Sequence, residues 1–426
     1  MQIRKMKEVR KERFLQAVSL ADTAGAFLLA LCPIVQHYRG IWMDAGEELL
    51  CLLLPWLLLR LFARRRLNVK VIVPLAAYAV WVFLTSQLDW GTAAREGMLL
   101  VYFAAAANDI GYMPRLQKAA RAVAFLAGCL IWIQYLCYYL LGFHLQLVPT
   151  GRLLESAGQW ISLAQTGRIS VTGNRMKFYR PSAFFLEPSH MALYLTPVLL
   201  GLLLSPEKSR RNRRMAAFVS LAMLLSTSGL GIAVVVIAWL VYGLFYREKG
   251  SDEQGVVCLK RNQLIFAGMF LVGLLLLYST VDVFRSSVSR IFVGTDGQNS
   301  ALEGRMLTGL RSVSHLSGLS LLAGRGNAIS IADWNMSGFF YTLYKHGVTG
   351  CVLSWWFYVR CIRLLKREYC WLAVMVLLLS FFTVHTYAAF YRMYFVSILL
   401  QGYGVCQRRS VLETWLRDLK KGISQS

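Results

Sequence analysis

The chain has 426 residues, of which 57% are hydrophobic and only 16% charged, with a net charge of +24. So apolar a composition excludes an ordinary soluble domain and points to an all-α polytopic integral membrane protein. The excess of Lys and Arg does not point to nucleic acid, because it falls in short runs between apolar segments, where it sets membrane orientation instead.

Taken in chain order, apolar runs able to cross the ~30 Å hydrocarbon core fall near 15–36, 46–63, 69–88, 96–112 and 120–142. Asp22 interrupts the first, and no small-residue cleavage site follows it, so it reads as an uncleaved anchor. Asp109, beside Asn108 in the fourth, is costly against lipid and is expected to line the bundle interior. Further runs follow at 187–204, 263–280, 338–359, 370–384 and 388–406. Met215 to Tyr246 is too long for one span, and Ser226-Thr227-Ser228-Gly229 breaks it into a short helix and a normal one. The expected total is about twelve spans in one integral domain over residues 1–426.

Seven basic clusters, at Arg4 to Arg13, Arg64 to Lys70, Arg115 to Arg121, Lys208 to Arg214, Arg247 to Arg261, Arg360 to Arg367 and Arg408 to Lys421, share one side of that layout. By the positive-inside rule this side is cytoplasmic, and both termini lie on it. The tail 408–426 carries Val411, Leu412, Trp415, Leu416 and Leu419 as an amphipathic stripe suited to the inner membrane surface. Two long segments, 143–186 and 281–337, are then external. Neither contains any of the nine cysteines, and no Cys/His cluster, CxxC pair, Gly-rich phosphate loop or internal repeat stands out. No metal or other cofactor is expected.

The first external segment holds Arg152, Arg168, Arg175, Lys177 and Arg180, and the second Arg285, Arg290, Arg305, Arg311 and Arg325. Ten basic residues on the side where they are disfavoured point to an anionic ligand. The alternatives are lipid headgroups and pairing with Glu155, Asp282, Asp296, Glu303 and Asp333. Leu302, Met306, Leu310, Val313 and Leu316 recur at helical spacing, so an amphipathic helix is expected there. It presents Arg305 on its polar side and Arg311 with His315 on another face. Gly324-Arg325-Gly326 lets backbone approach a ligand, or is an ordinary turn.

Arg180 to His190 carries a polar loop into an apolar helix that starts at Glu187-Pro188. Glu187 either orients Arg180, holds a sugar hydroxyl, accepts a proton, or simply sits as an acid at the positive end of the helix dipole. His190, three residues on, can share its face and is a weaker candidate, since a boundary histidine is more often a structural group.

Several stretches together resemble the bacterial O-antigen and capsular repeat-unit polymerases of the Wzy type, which belong with the O-antigen ligases. They are Arg180-Pro-Ser-Ala-Phe-Phe-Leu-Glu-Pro-Ser-His190, Leu225-Ser-Thr-Ser-Gly-Leu-Gly231, Glu303-Gly-Arg305, Gly324-Arg-Gly326 and Phe339-Phe-Tyr-Thr-Leu-Tyr-Lys-His-Gly347-Val-Thr-Gly350. The resemblance covers most of the chain in layout and implies a glycosyltransferase architecture of the GT-C kind. It implies transfer of a glycan from undecaprenyl diphosphate to a hydroxyl of a second lipid-linked repeat unit. Arg180, Arg305 and Arg325 would neutralise the leaving diphosphate, and Glu187 would position Arg180 or assist deprotonation of the acceptor. Arg175, His190 and Arg311 are expected to bind substrate. Where many family members have His-Asn before the tenth span, this chain reads Asp333-Trp334-Asn335-Met336, so Asp333 or Asn335 takes that place. A chain-length regulator and a flippase are the implied partners, with no nucleic acid. A ligase is the nearest rival. A transporter using Asp22 and Asp109 is the distant one, disfavoured because neither paired repeats nor broken spans are evident.

Overall fold

In a computed structural model, the structure describes residues 20–64, 69–86, 90–108, 113–154, 179–204, 209–245, 261–292, 301–326, 336–364 and 379. Among them the architecture is all-α, and Arg39 and Asp44 form an isolated β-bridge. The chain divides into two compact units, one of residues 1–120 with 309–426, the other of 121–308.

The first helices are α1 (Leu20–Val35), α2 (Ala45–Arg64), α3 (Val69–Thr85), α4 (Trp90–Asn108) and α5 (Met113–Leu140). A 3₁₀ turn at Thr150–Arg152 precedes α6 (Pro188–Leu204), α7 (Arg210–Leu225), α8 (Gly229–Phe245) and α9 (Arg261–Thr280). Then come α10 (Asp282–Phe292), α11 (Ala301–Ser314), α12 (Leu319–Ala323) and α13 (Gly338–Leu364). As far as the described residues reach, the apolar runs up to residue 359 are thus helical, and the long run after Met215 does break at Ser226–Ser228. The runs at 370–384 (apart from Leu379) and 388–406, the tail, and Asp109 lie outside the described residues.

Two helices differ from expectation for local reasons. The short helix before the break starts at Arg210, because Ser209 caps it: its extended backbone lets the hydroxyl accept from Arg211 N–H at 3.2 Å. The second long segment holds three helices rather than one. Asp282 at the first turn of α10, ion-paired with Arg285 three residues on, is the N-terminal signal that marks the extra element.

In the first unit α3 packs between α4 and α13 and α2 packs on α4, with Phe103 against Phe357 at 6.0 Å between ring centres. Asp22 on α1 pairs with Arg115 at 3.0 Å, and Glu47 on α2 accepts from Arg95 Nε on α4 at 2.6 Å. In the second unit α6 packs on α7 and α8. Phe218 of α7 lies against α5 at Gly128, where a Cβ would strike its ring, and Trp239 of α8 donates to Ser220 Oγ of α7 at 2.9 Å.

Among the described residues one helix, Arg115–Leu140, is long and apolar enough to cross a membrane, and five shorter apolar helices accompany it. The outer surfaces are apolar too. On α9, Leu264, Ile265, Met269, Leu271, Val272, Leu275 and Leu276 are all exposed, as are Phe125, Leu126, Ile133 and Leu136 on α5. Contiguous apolar surface of this kind is rare on a protein bathed in water.

Candidate functional site

In the second unit, the Arg180 loop is built against the end of α5. Gln134, a fully buried amide in an otherwise apolar stretch, accepts from Ala183 N–H at 2.9 Å. Its Nε2 donates to the carbonyls of Leu145 and Ala183 at 3.2 and 3.5 Å. Ala183 has φ +51, a left-handed conformation unusual for a residue with a side chain. The turn is closed by Ser182, whose hydroxyl donates to Phe185 O and whose carbonyl accepts Phe185 N–H, at 2.8 and 2.9 Å. A buried glutamine therefore holds a strained loop in one shape, and Arg180, half-buried, leads into it.

Glu187 is the residue before α6, with Pro188 in the first helical position. Its carboxylate accepts from Ser189 Oγ at 2.7 Å, and Met191 N–H reaches its carbonyl at 3.1 Å. The acid at the positive end of the helix dipole is thus the reading that the geometry favours. His190 follows in the first turn, only 1% exposed.

Around the same loop end, Tyr138 stacks on Tyr179 at 4.3 Å, Tyr135 on Tyr139 at 5.6 Å, and His144 lies 4.9 Å from Tyr138. Burial pushes the Tyr179 phenol up to about 12, with Cys137, Tyr138 and Tyr139 adding to it. It stays neutral at any physiological pH. Sequence reading passed over this cluster and Gln134. A lone glutamine within an apolar run, followed by three tyrosines, was the available signal.

Tyr135 also donates to Leu225 O at 2.7 Å, tying the loop end to the break between α7 and α8. Ser226, Thr227 and Ser228 are all buried there, and Thr227 has φ +53. Ser226 Oγ donates to Met223 O at 2.7 Å, while Ser228 Oγ accepts from Gly231 N–H at 3.3 Å as the cap of α8.

In the first unit, Gly324-Arg325-Gly326 is more than a turn. Gly324 and Gly326 have φ of +75 and +61, and a Cβ would strike the Lys345 carbonyl at the first and the Thr85 carbonyl at the second. The segment lies against a break in α13 at Gly347, where φ is +68 and ψ −174. Where the helical ladder is interrupted, three successive carbonyls find outside donors. Arg325 N–H bonds Tyr344 O and Gly326 N–H bonds Lys345 O, both at 2.9 Å, and Trp81 Nε1 bonds His346 O at 2.8 Å. His346 Nδ1 lies 3.0 Å from Thr85 Oγ1. The expectation of unbroken spans is corrected here: a left-handed glycine interrupts the ladder of α13.

The Arg325 side chain is exposed, its guanidinium carbon 5.9 Å from the centre of the Tyr344 ring, and Lys345 Nζ stands 5.8 Å over Tyr341. Tyr344 belongs to a core with Leu316 and Met336, onto which Val313 and Phe340 pack. Of the predicted stripe, Val313 and Leu316 thus pack inward at its end. Gly309, Ser312 and Leu316 are buried, while Met306 and Leu310 are exposed together with Arg311 and His315. Gly309 decides this, since its missing Cβ admits Phe340.

Of the predicted site residues, the second unit holds Arg180, Glu187, His190 and Arg305, the last on α11. The first unit holds Arg311 and Arg325. Arg285, paired with Asp282, follows the bland reading, as does Asp22 with Arg115. Arg175, Asp333 and Asn335 lie outside the described residues. Among the described residues no three His, Cys, Asp or Glu side chains gather where a metal could be held. No known protein-family model matches the chain, and no curated protein is significantly similar to it.

Proposed function

We propose that the chain is a multi-span polymerase of the cytoplasmic membrane that joins undecaprenyl-diphosphate-linked oligosaccharides into a surface polysaccharide at the outer face, releasing the lipid diphosphate. The observation that carries this is that Arg180 and Arg325 both belong to irregular segments whose backbones are hydrogen-bonded to a neighbouring helix. Cations on fixed segments suit a developing diphosphate charge better than cations on free loops. Glu187 would serve the loop's shape, and the acceptor hydroxyl would pass its proton to the departing diphosphate as the new glycosidic bond forms and the bond to the diphosphate breaks. A ligase that delivers a finished glycan to another acceptor uses the same donor chemistry.

The twelve-span layout is supported by which ends touch. Asp22 and Arg115 both fall toward its cytoplasmic side, whereas Glu47 and Arg95 fall toward its outer side, and each pair is bonded. Tyr135 and Leu225, also bonded, both fall toward the outer side. Reporter fusions after Gln159 and Gly297 should read external, and fusions after Arg211, Lys249 and Lys366 cytoplasmic. A cytoplasmic signal from either long segment would sink the proposal.

The break at Gly347 lends some support to a transporter, since transporters use interrupted spans to bind ions. Yet the carbonyls at this break already accept from Arg325, Gly326 and Trp81, and Asp22 is neutralised by Arg115. The polymerase reading is therefore preferred.

Metal independence is expected on the sequence: the external segments offer ten basic residues and only scattered acids, with no Asp-x-Asp pair. Purified protein should polymerise lipid-linked repeats equally well in excess EDTA, and Arg305→Ala should lose activity that Mg²⁺ or Mn²⁺ does not restore. Loss in EDTA with recovery by either metal would instead direct attention to Asp296, Glu303 or Asp333.

A further inference from the structure

We propose that the loop between α1 and α2 is an interfacial anchor, folded by Glu48 so that Ile41, Trp42 and Met43 seat among the phospholipid headgroups of the outer face. This rests on the multi-span reading and not on the polymerase activity. At the base of the loop Arg39 and Asp44 form the β-bridge, and Gly40 N–H bonds Met43 O across it at 2.8 Å. Ala45 N–H bonds Tyr38 O at 3.0 Å, so α2 starts directly at that base. Glu48, in the first turn of α2, turns its carboxylate into the loop. One of its oxygens accepts from the N–H groups of Ile41, Trp42 and Met43 at 2.5, 2.7 and 3.4 Å. Gly40 leaves the space that the carboxylate occupies, which a Cβ would strike. Successive N–H groups facing one acceptor make an anion-binding concavity, here filled by the chain's own acid. With its amides engaged from inside, the tip presents its side chains outward. Trp42, at 86%, is the most exposed large apolar side chain among the described residues, and Ile41 is 80% exposed.

Three observations identify the occupant as lipid. The first is height. One apolar run ends at residue 36 and the next begins at 46, which puts the base of the loop at the edge of the hydrocarbon. The tip stands two residues past the bridge, a reach of about 7 Å at most. The headgroup layer on each face is about 5–7 Å deep, so the tip cannot rise clear of it. The second is chemistry. An indole between two aliphatic side chains, with the exposed Arg39 at the base, suits this layer: the ring sits at headgroup level and the guanidinium meets phosphate. The neighbouring carboxylates are drawn away from phosphate, Glu48 by the loop amides and Glu47 by Arg95. The third is continuity, since the helices on either side carry exposed apolar residues of their own, Phe27 on α1 and Leu52 and Leu59 on α2. A tip this apolar held out in water would be unfavourable, whereas at the interface it joins a surface already suited to lipid.

The test is photo-crosslinking of the full-length protein in liposomes of phosphatidylethanolamine and phosphatidylglycerol, with p-benzoylphenylalanine in place of Trp42. The same residue in place of Leu126, exposed on α5, is the control for lipid contact along a span. After irradiation, mass spectrometry should find phospholipid joined to the protein at both positions. Lipid captured at 126 with nothing captured at 42 would mean that water surrounds the tip, and would overturn the anchor while leaving the multi-span reading intact. Capture at 42 of a second copy of the chain, in place of lipid, would overturn it equally. Lipid captured at neither position overturns the anchor and the multi-span reading together. Glu48→Ala leaves the amides of Ile41, Trp42 and Met43 without their acceptor, so it should lower the lipid adduct at 42 and leave that at 126 unchanged. If that variant does not fold, Gly40→Ala, whose Cβ takes the place of the carboxylate, should lower the adduct in the same way. An undiminished adduct at 42 in a folded Glu48→Ala protein would overturn the role given to Glu48.

Discussion

Arg180→Ala is expected to abolish polymer while single lipid-linked repeats accumulate and protein level stays normal. Arg180 precedes a loop whose shape is imposed from outside it, by the buried amide of Gln134 on Ala183 and by the Ser182–Phe185 turn. These main-chain bonds of the loop do not involve the Arg180 side chain, so the expected loss is in chemistry, with protein level as the check on stability. Losing one charge-stabilising donor at a reacting phosphate costs about 100- to 1000-fold in rate. Arg180→Lys retains charge but loses the planar two-pronged donor, so it should also be severely impaired. Glycan ladders from cells carrying the variants, with the lipid-linked pool measured alongside, decide the matter. Full-length polymer from Arg180→Ala would remove this residue from the mechanism.

The largest stability effect is expected at Gly326. Its φ of +61 disfavours any side chain, and a Cβ there would meet the carbonyl of Thr85, which is main chain and cannot rotate aside. Gly326→Ala should cost about 2–5 kcal/mol through strain and overpacking, enough to deplete the folded protein. Two other glycines separate these causes. Gly142 has φ +70 but open space around it, so Gly142→Ala should cost about 1 kcal/mol. Gly201, in α6 with open space and ordinary backbone, should be unchanged or slightly stabilised as Ala. Thermal unfolding of the purified proteins, followed by tryptophan fluorescence, should rank them in that order. A Gly326→Ala protein melting like wild type would mean that Gly324 to Gly326 is not packed on the Thr85 carbonyl.

Much of the helical layout was legible because it depends on properties that are local in sequence. An apolar run of the right length becomes a helix wherever it lies, and Ser226-Thr227-Ser228-Gly229 interrupts one because small hydroxyl residues and glycine offer the backbone alternatives to the helical ladder. Glu187-Pro188 marked the start of α6 for a similar reason: proline at the first helical position lacks only a donor that would have been unused. Less legible is α10, whose acidic first residue reads in the sequence only as a partner for loop arginines.

What the sequence by itself determined is therefore the helical class, the positions of the helices formed by the apolar runs, the break after Leu225, and the glycines around Arg325 as a turn or a place of close backbone approach, but not α10 or α12. Only the tertiary structure decided what those features meet. Gly347 reads as an ordinary glycine in an apolar run until Arg325, Gly326 and Trp81 are seen taking the carbonyls of Tyr344, Lys345 and His346, from partners about 20 and 265 residues away. Gln134 reads as a stray polar residue until Ala183 is found on it. The burial of α11 at Gly309, which is no part of its apolar stripe, follows from Phe340 filling the space left there. In each case the deciding term is a hydrogen bond or a steric contact between residues far apart in sequence. Periodicity and composition carry no information about such pairs, because they register what each residue prefers and not which partner the fold supplies.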